Sequence, residues 1–256
     1  MQDGAAEPGR LGGPVRIEAA LHDAAAVGDE ALLLAKEAPC WVARDRTDGV
    51  RAAVAAGAQM VVLDDGFQNP GIGKNLSLVV VDAAYGFGNG RVIPAGPLRE
   101  NLARGLARAD AVVLLGAETK PRCPERLGIE TALPVLHAVL RPVAGERLTG
   151  SRLLAFAGIG HPEKFFTTLQ TLGAELVATR PFPDHHPYRA GEIDQLLRAA
   201  ERAQARLITT AKDIVRVPAA MRSAIKVLEV EIRWADPAAL VKLLRAVIGA
   251  REANAN

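Results

Sequence analysis

A chain of 256 residues with 49% apolar but only 4% aromatic content can bury one large or two small cores built from Ala, Val and Leu, which argues against a disordered polypeptide. A formal net charge of +2 supplies no concentrated basic face, so a nucleic-acid partner is not expected. Two cysteines, Cys40 and Cys123, without C-x-x-C spacing, exclude a disulfide framework or zinc cluster and read as packing residues in a reducing compartment.

The start, Met1 to Arg10, lacks the basic-then-apolar order of a signal peptide. Helical periodicity then occupies residues 29–37 and 45–56, and apolar runs of strand length occupy 59–64, 76–82 and 111–115. Residues 141–151, with Pro142, Gly145 and Gly150, interrupt the rhythm and read as a linker. Beyond it come strands at 153–157, 175–179 and 206–210 and helices at 162–172 and 190–204. A last helix, 237–248, is expected to pack back across the join. No apolar run reaches the roughly 18 to 20 residues that cross a bilayer. The class is α/β with a largely parallel sheet, divided into a half at 1–147 and a smaller α/β half at 148–256.

Open α/β sheets bind ligands beyond the carboxyl ends of their strands, which directs attention to residues 28–30, 64–69, 94–100 and 183–188. The run Met60-Val-Val-Leu-Asp64-Asp65-Gly66 reads as a buried strand ending in two carboxylates, the way a Walker-B element presents acid to nucleotide-bound Mg²⁺; a turn capped at Gly66 is the alternative. Gly28-Asp29-Glu30 reads as a helix start with acids at the positive end of the dipole. Arg99, Arg104 and Arg108 beside Leu98, Leu102 and Leu106 form either a solvated basic face or a patch for anionic headgroups. Lys212-Asp213 reads as a helix cap, and His137 and His161 as structural. Asp184-His185-His186 also spells the triplet of a metal-dependent phosphoesterase superfamily, although only His22 and scattered acids are left as the further ligands such hydrolases need.

Taken together, the ordered pieces are more specific. They are Val27-Gly28-Asp29-Glu30, Asp64-Asp65-Gly66-Phe67-Gln68-Asn69, Gly86-Phe87-Gly88-Asn89-Gly90-Arg91, Pro94-Ala95-Gly96-Pro97-Leu98-Arg99-Glu100, Phe156-Ala157-Gly158-Ile159-Gly160, Phe182-Pro183-Asp184-His185-His186 and Thr209-Thr210-Ala211-Lys212-Asp213. From Gly13 to Trp234 the chain resembles the tetraacyldisaccharide 4'-kinase family. The resemblance implies a P-loop-kinase-like parallel sheet and ATP-dependent phosphorylation of the 4'-hydroxyl of a tetraacyl disaccharide 1-phosphate, the lipid A precursor. It implies Asp29 as the base for that hydroxyl and His185, reaching an interdomain cleft, as its partner. Asp64 and Asp65 would serve Mg²⁺, with Glu30 and Glu100 as further metal-linked carboxylates, and Arg99, Gln68 and Asn69 would face the nucleotide. The implied setting is a monomer bound peripherally at the cytosolic face of a Gram-negative inner membrane.

The sequence also departs from the family pattern. No G-x-x-x-x-G-K-[ST] occurs, and Gly71-Ile72-Gly73-Lys74-Asn75 lacks its spacing. About seventy family-typical residues are expected upstream of this sequence. The polypeptide alone is therefore expected to have little kinase activity and a sheet incomplete at its N-terminal side, with a non-catalytic interaction module as the alternative. Asn69 stands where the family usually has His, and Ala211 where Glu is common. Asn keeps a hydrogen-bonding group but cannot carry charge.

Overall fold

A computed structural model describes residues 13–18, 20–116, 132–143 and 148–254; Cys123 and Gly145 lie outside these. In chain order the elements begin with β1 (Val15–Arg16), α1 (Ala24–Val27), α2 (Asp29–Glu37), β2 (Trp41–Val42), α3 (Arg46–Ala55), β3 (Leu78–Asp82), α4 (Leu102–Leu106), β4 (Ala111–Leu115) and β5 (Val135–Pro142). They continue with β6 (Arg152–Ala157), α5 (Pro162–Thr171), β7 (Glu175–Pro181), α6 (Ala190–Arg202), β8 (Arg206–Thr210), α7 (Ala211–Ile214), β9 (Lys226–Leu228), β10 (Val230–Trp234) and α8 (Pro237–Asn254).

These elements fall into two units, Met1–Val61 with Pro142–Val230 and Val62–Arg141 with Glu231–Asn256. The units interleave along the chain, where the sequence suggests a single division at 147/148. Burial is the reason. Ile17, Val27 and Leu32 share one core with Leu154, Phe156, Ile193 and Leu207, so the early segment belongs with the late α/β layer.

The first unit is organised by the all-parallel sheet β7-β6-β8-β9. β6 is apolar throughout after Arg152 because both faces are covered. Its alternate side chains separate accordingly: Leu154 and Phe156 meet Ile193, Leu196 and Ala200 of α6, whereas Leu153, Ala155 and Ala157 meet Phe165, Phe166 and Leu169 of α5. α6 begins where the Glu192 carboxylate accepts the Arg189 N–H at 2.8 Å, and α5 where Pro162 occupies the first turn.

The second unit holds the sheet β10-β5-β4-β3, in which β3, β4 and β5 run parallel. Ala239, Leu240 and Leu243 of α8, with Trp234 of β10, cover Val113, Leu136 and Ala138, so the last helix packs on this sheet. The other face buries Val81, Val112 and Leu114 against Phe87 and Leu106.

Residues 59–64 are not a strand, contrary to expectation. Met60, Val61 and Val62 are 56%, 36% and 87% exposed, and the run belongs to neither four-stranded sheet. An apolar run becomes a strand only where flanking strands take up its backbone N–H and C=O groups. Here β3 is an edge strand and 59–64 does not pair with it.

Candidate active site

Three loops leave the carboxyl ends of the adjacent strands β7, β6 and β8, and the amino end of α2 lies among them. Gly28 makes this entry possible. Its φ of 89° and ψ of 149° let it close α1, with its N–H on the Ala24 carbonyl at 3.0 Å, and open α2 in the next residue. Asp29 is consequently the first residue of α2 and is only 7% exposed. Its Oδ1 accepts the Glu30 N–H at 3.1 Å. Its Oδ2 lies 3.2 Å from His185 Nδ1 and 3.4 Å from Arg216 Nε.

His185 is held in a left-handed conformation at φ 56°, which costs a non-glycine residue on the order of 1 kcal/mol. Its N–H, directed to the Gly158 carbonyl and Asp184 Oδ1, both at 3.1 Å, fixes that conformation. The ring remains 58% exposed although Asp29 holds its Nδ1 edge. Asp29 and His185 therefore meet, and they do so within the first unit rather than across a cleft between two halves.

Beneath the pair lies a buried network. Asp213 is fully buried; its Oδ1 accepts from the Gly158 N–H at 2.8 Å, Tyr188 Oη at 2.7 Å and Arg216 Nη2 at 3.0 Å, and its Oδ2 from Thr210 Oγ1 at 2.6 Å. Thr210 itself caps α7, accepting the Asp213 N–H at 3.1 Å. Burial, followed by the charge and hydrogen bond of Asp213, pushes the Tyr188 phenol far above its ordinary range, so it remains a donor. Gly158 has to be glycine: a Cβ there would lie 2.9 Å from both the Pro183 carbonyl and Tyr188 Oη. At the rim, Lys212 Nζ donates to Glu30 Oε1 at 2.7 Å. Burial opposes the Lys212 charge, but the hydrogen bond and charge of Glu30, then Asp29 and Asp184, outweigh it and raise its pKa.

The remaining expected residues lie in the second unit, apart from Glu30. Asp64 and Asp65 occupy an exposed turn, with Asp65 at φ 50°, instead of a strand end. Gln68 Nε2 donates to Glu100 Oε1 at 3.2 Å, and Arg108 Nη2 donates to the same oxygen at 2.8 Å while stacking over Phe67 at 5.1 Å. The Arg108 hydrogen bond, against slight burial and helped by Gln68, lowers the Glu100 pKa. Two of the four expected metal carboxylates are thus turned to cations, Glu30 to Lys212 and Glu100 to Arg108. Among the described residues, no group of three or more His, Cys, Asp or Glu side chains converges as a protein-only metal site. Mg²⁺ accepts hard carboxylate oxygens in ones and twos when phosphates complete its shell, and the Asp64-Asp65 turn is a pair of that chemistry. Asn69 Oδ1 accepts the Gly71 N–H at 2.8 Å, and Lys74 Nζ donates to the Asn69 and Ile72 carbonyls at 2.6 and 3.1 Å, so this loop closes on itself. Arg99 is exposed.

The Asp-His-His triplet does not act as one ligand set. His185 faces Asp29, whereas His186 Nε2 lies 3.2 Å from Glu192 Oε1 and its ring stacks on Phe182 at 4.7 Å. Sequence reasoning missed Tyr188, Asp213 and Arg216 as a unit. Asp213-x-x-Arg216 spacing after a strand was the available signal, but i,i+3 acid–base pairs are common on solvated helices.

The model of the tetraacyldisaccharide-1-P 4'-kinase family matches residues 8–249. The chain belongs to this family. A tetraacyldisaccharide 4'-kinase of Rhodospirillum centenum is 55% identical over 249 residues, covering 95% of this chain and 72% of the relative. One from Dinoroseobacter shibae is 55% identical over 239 residues, covering 92% and 71%. The crystal structure of the "apo" form of LpxK from Aquifex aeolicus in complex with ATP superimposes with a TM-score of 0.71 at 23% identity, over 93% of this chain and 76% of that one. The likeness shows that the 4'-kinase family member described here shares that α/β P-loop-kinase fold.

Proposed function

We propose that the chain serves ATP-dependent phosphorylation of the 4'-hydroxyl of a tetraacyl disaccharide 1-phosphate, with the Asp29–His185 pair receiving the hydroxyl proton. The observation that carries this reading is the 3.2 Å contact between His185 Nδ1 and Asp29 Oδ2. Attack of a sugar hydroxyl on a γ-phosphoryl group requires that its proton leave, and a positioned side chain must accept it. Asp29 contributes a buried carboxylate fixed at the mouth of α2, and His185 an imidazole exposed enough to meet an acceptor. Mg²⁺ held by Asp64 and Asp65 would neutralise charge on the donor's phosphates. Arg99 would contact phosphate, with Gln68 and Asn69 at the nucleotide.

Peripheral attachment of a monomer to the cytosolic face of a Gram-negative inner membrane fits an acylated acceptor. Among the described residues no helix is long and apolar enough to cross a membrane. None of the 256 residues spells a Walker-A loop. Phosphate transfer is therefore to be measured on this polypeptide and on the same polypeptide joined behind the Walker-A-bearing segment of a family member. Weak transfer by the first and ready transfer by the second are expected. In the active form, Asp29→Asn and His185→Ala each lower kcat by about 10²-fold or more with KM little changed. Undiminished kcat in Asp29→Asn sinks this reading.

A further inference from the structure

Arg216 is built into the molecule more elaborately than a stabilising arginine requires. Its side chain is 6% exposed. Nη2 donates to Asp213 Oδ1 and to the Gly158 carbonyl, both at 3.0 Å, and Nε donates to the Lys212 carbonyl at 3.2 Å. Nη1 is buried without an acceptor among the described residues, which is costly for a group selected only for stability. This anchoring brings Nε to 3.4 Å from Asp29 Oδ2, the oxygen that also faces His185 Nδ1. The contact is a charge interaction, since the Nε hydrogen points to Lys212.

We infer that Arg216 is a positioning residue: braced by Asp213, it fixes the Asp29 carboxylate so that Oδ2 accepts the Nδ1 proton of His185 and leaves Nε2 turned outward. The inference rests on the proposed role of the pair but concerns its geometry. A carboxylate at Nδ1 selects the Nδ1–H tautomer of the neutral imidazole. Asp184 Oδ2, the competing acid, is 3.9 Å from Nε2 and beyond hydrogen-bond reach. Lys212 is occupied by Glu30 and does not replace Arg216 at Asp29. A guanidinium holds Asp213 and Gly158 through Nη2 while presenting a second nitrogen, Nε, to Asp29, which the single nitrogen of lysine cannot do.

The test is the ring-nitrogen spectrum of His185 in the folded chain, read by ¹⁵N NMR at a pH where the ring is neutral, which requires no turnover. The Nδ1–H tautomer should dominate in the parent chain. It should give way to Nε2–H in Arg216→Lys and in the Asp213→Asn/Arg216→Gln double variant, which removes both buried charges together and guards against unfolding. Arg222→Gln disturbs the neighbouring carbonyls of Val215 and Val217 and should lower Tm without moving the His185 signals. In the transfer assay, Arg216→Lys should lower kcat about tenfold at unchanged KM, and this loss should vanish in an Asp29→Asn background. A His185 tautomer unchanged in both Arg216 variants overturns the inference, as does a kcat loss that persists without Asp29. Failure of the proposed function is a separate result, in which Asp29→Asn leaves transfer intact while the tautomer still responds to Arg216.

Discussion

Tyr188 donates its hydroxyl to Asp213, a carboxylate fully withdrawn from water. Removing that donor in Tyr188→Phe leaves three other partners, so a loss of about 1–3 kcal/mol is expected on chemical denaturation. The variant also changes the alkaline limb of stability. An unfolded chain ionises this phenol near 10.0, whereas the folded chain retains the proton. The folded state then binds more protons than the unfolded one above that pH. The contribution is whole below the unfolded pKa and is lost as pH rises beyond it, and Tyr188→Phe should flatten that decline in denaturation measured across the alkaline range. Gly158 tests the same corner by sterics. Gly158→Ala drives a methyl against the Pro183 carbonyl and Tyr188 Oη, with an expected cost of about 1–3 kcal/mol in thermal unfolding. None of this was legible from the sequence: Asp213 reads as a helix cap, and only burial reveals that Thr210 is the cap and Asp213 the centre of a network.

At the scale of elements, α2 and β8 occur where periodicity places them, Asp29–Glu37 and Arg206–Thr210. Their signals are local: acids at a helix entry, a strand-length apolar run and a hydroxyl cap. The run 59–64 has the same local signal as β8 and does not form a strand, because strand formation needs partners and β8 has β6 and β9 on its two sides. Partners also determine what a strand contributes. Phe156 in β6 is wholly buried between α6 and the 182–188 loop, with Tyr188 edge-on at 5.2 Å and Phe182 at 6.3 Å. Phe156→Ala should cost about 3–5 kcal/mol by denaturant titration, at the upper end because surrounding rings hold the cavity open. Val62→Thr, at an 87% exposed site in the run without a strand, should change stability by no more than about 0.5 kcal/mol.

For the whole molecule, residues up to 61 and residues 142–230 form one unit, so they should lose protection together. Amide hydrogen exchange of Phe156→Ala should show accelerated exchange in α2 as well as in β6 and β8, while β4 retains its protection. Exchange of α2 in step with β4 instead would restore a division at 147/148. The α/β class, most of the elements and the family are legible in the linear chain, because periodicity, caps and ordered motifs are written in neighbouring residues. So are Asp29 and His185, through the family resemblance. That their side chains meet at 3.2 Å across a separation of 156 residues, that both lie in one unit, and that Asp213, Tyr188 and Arg216 underlie them emerges with folding. Burial and pairing depend on groups far apart in the chain, and no local pattern specifies which of them folding will bring together.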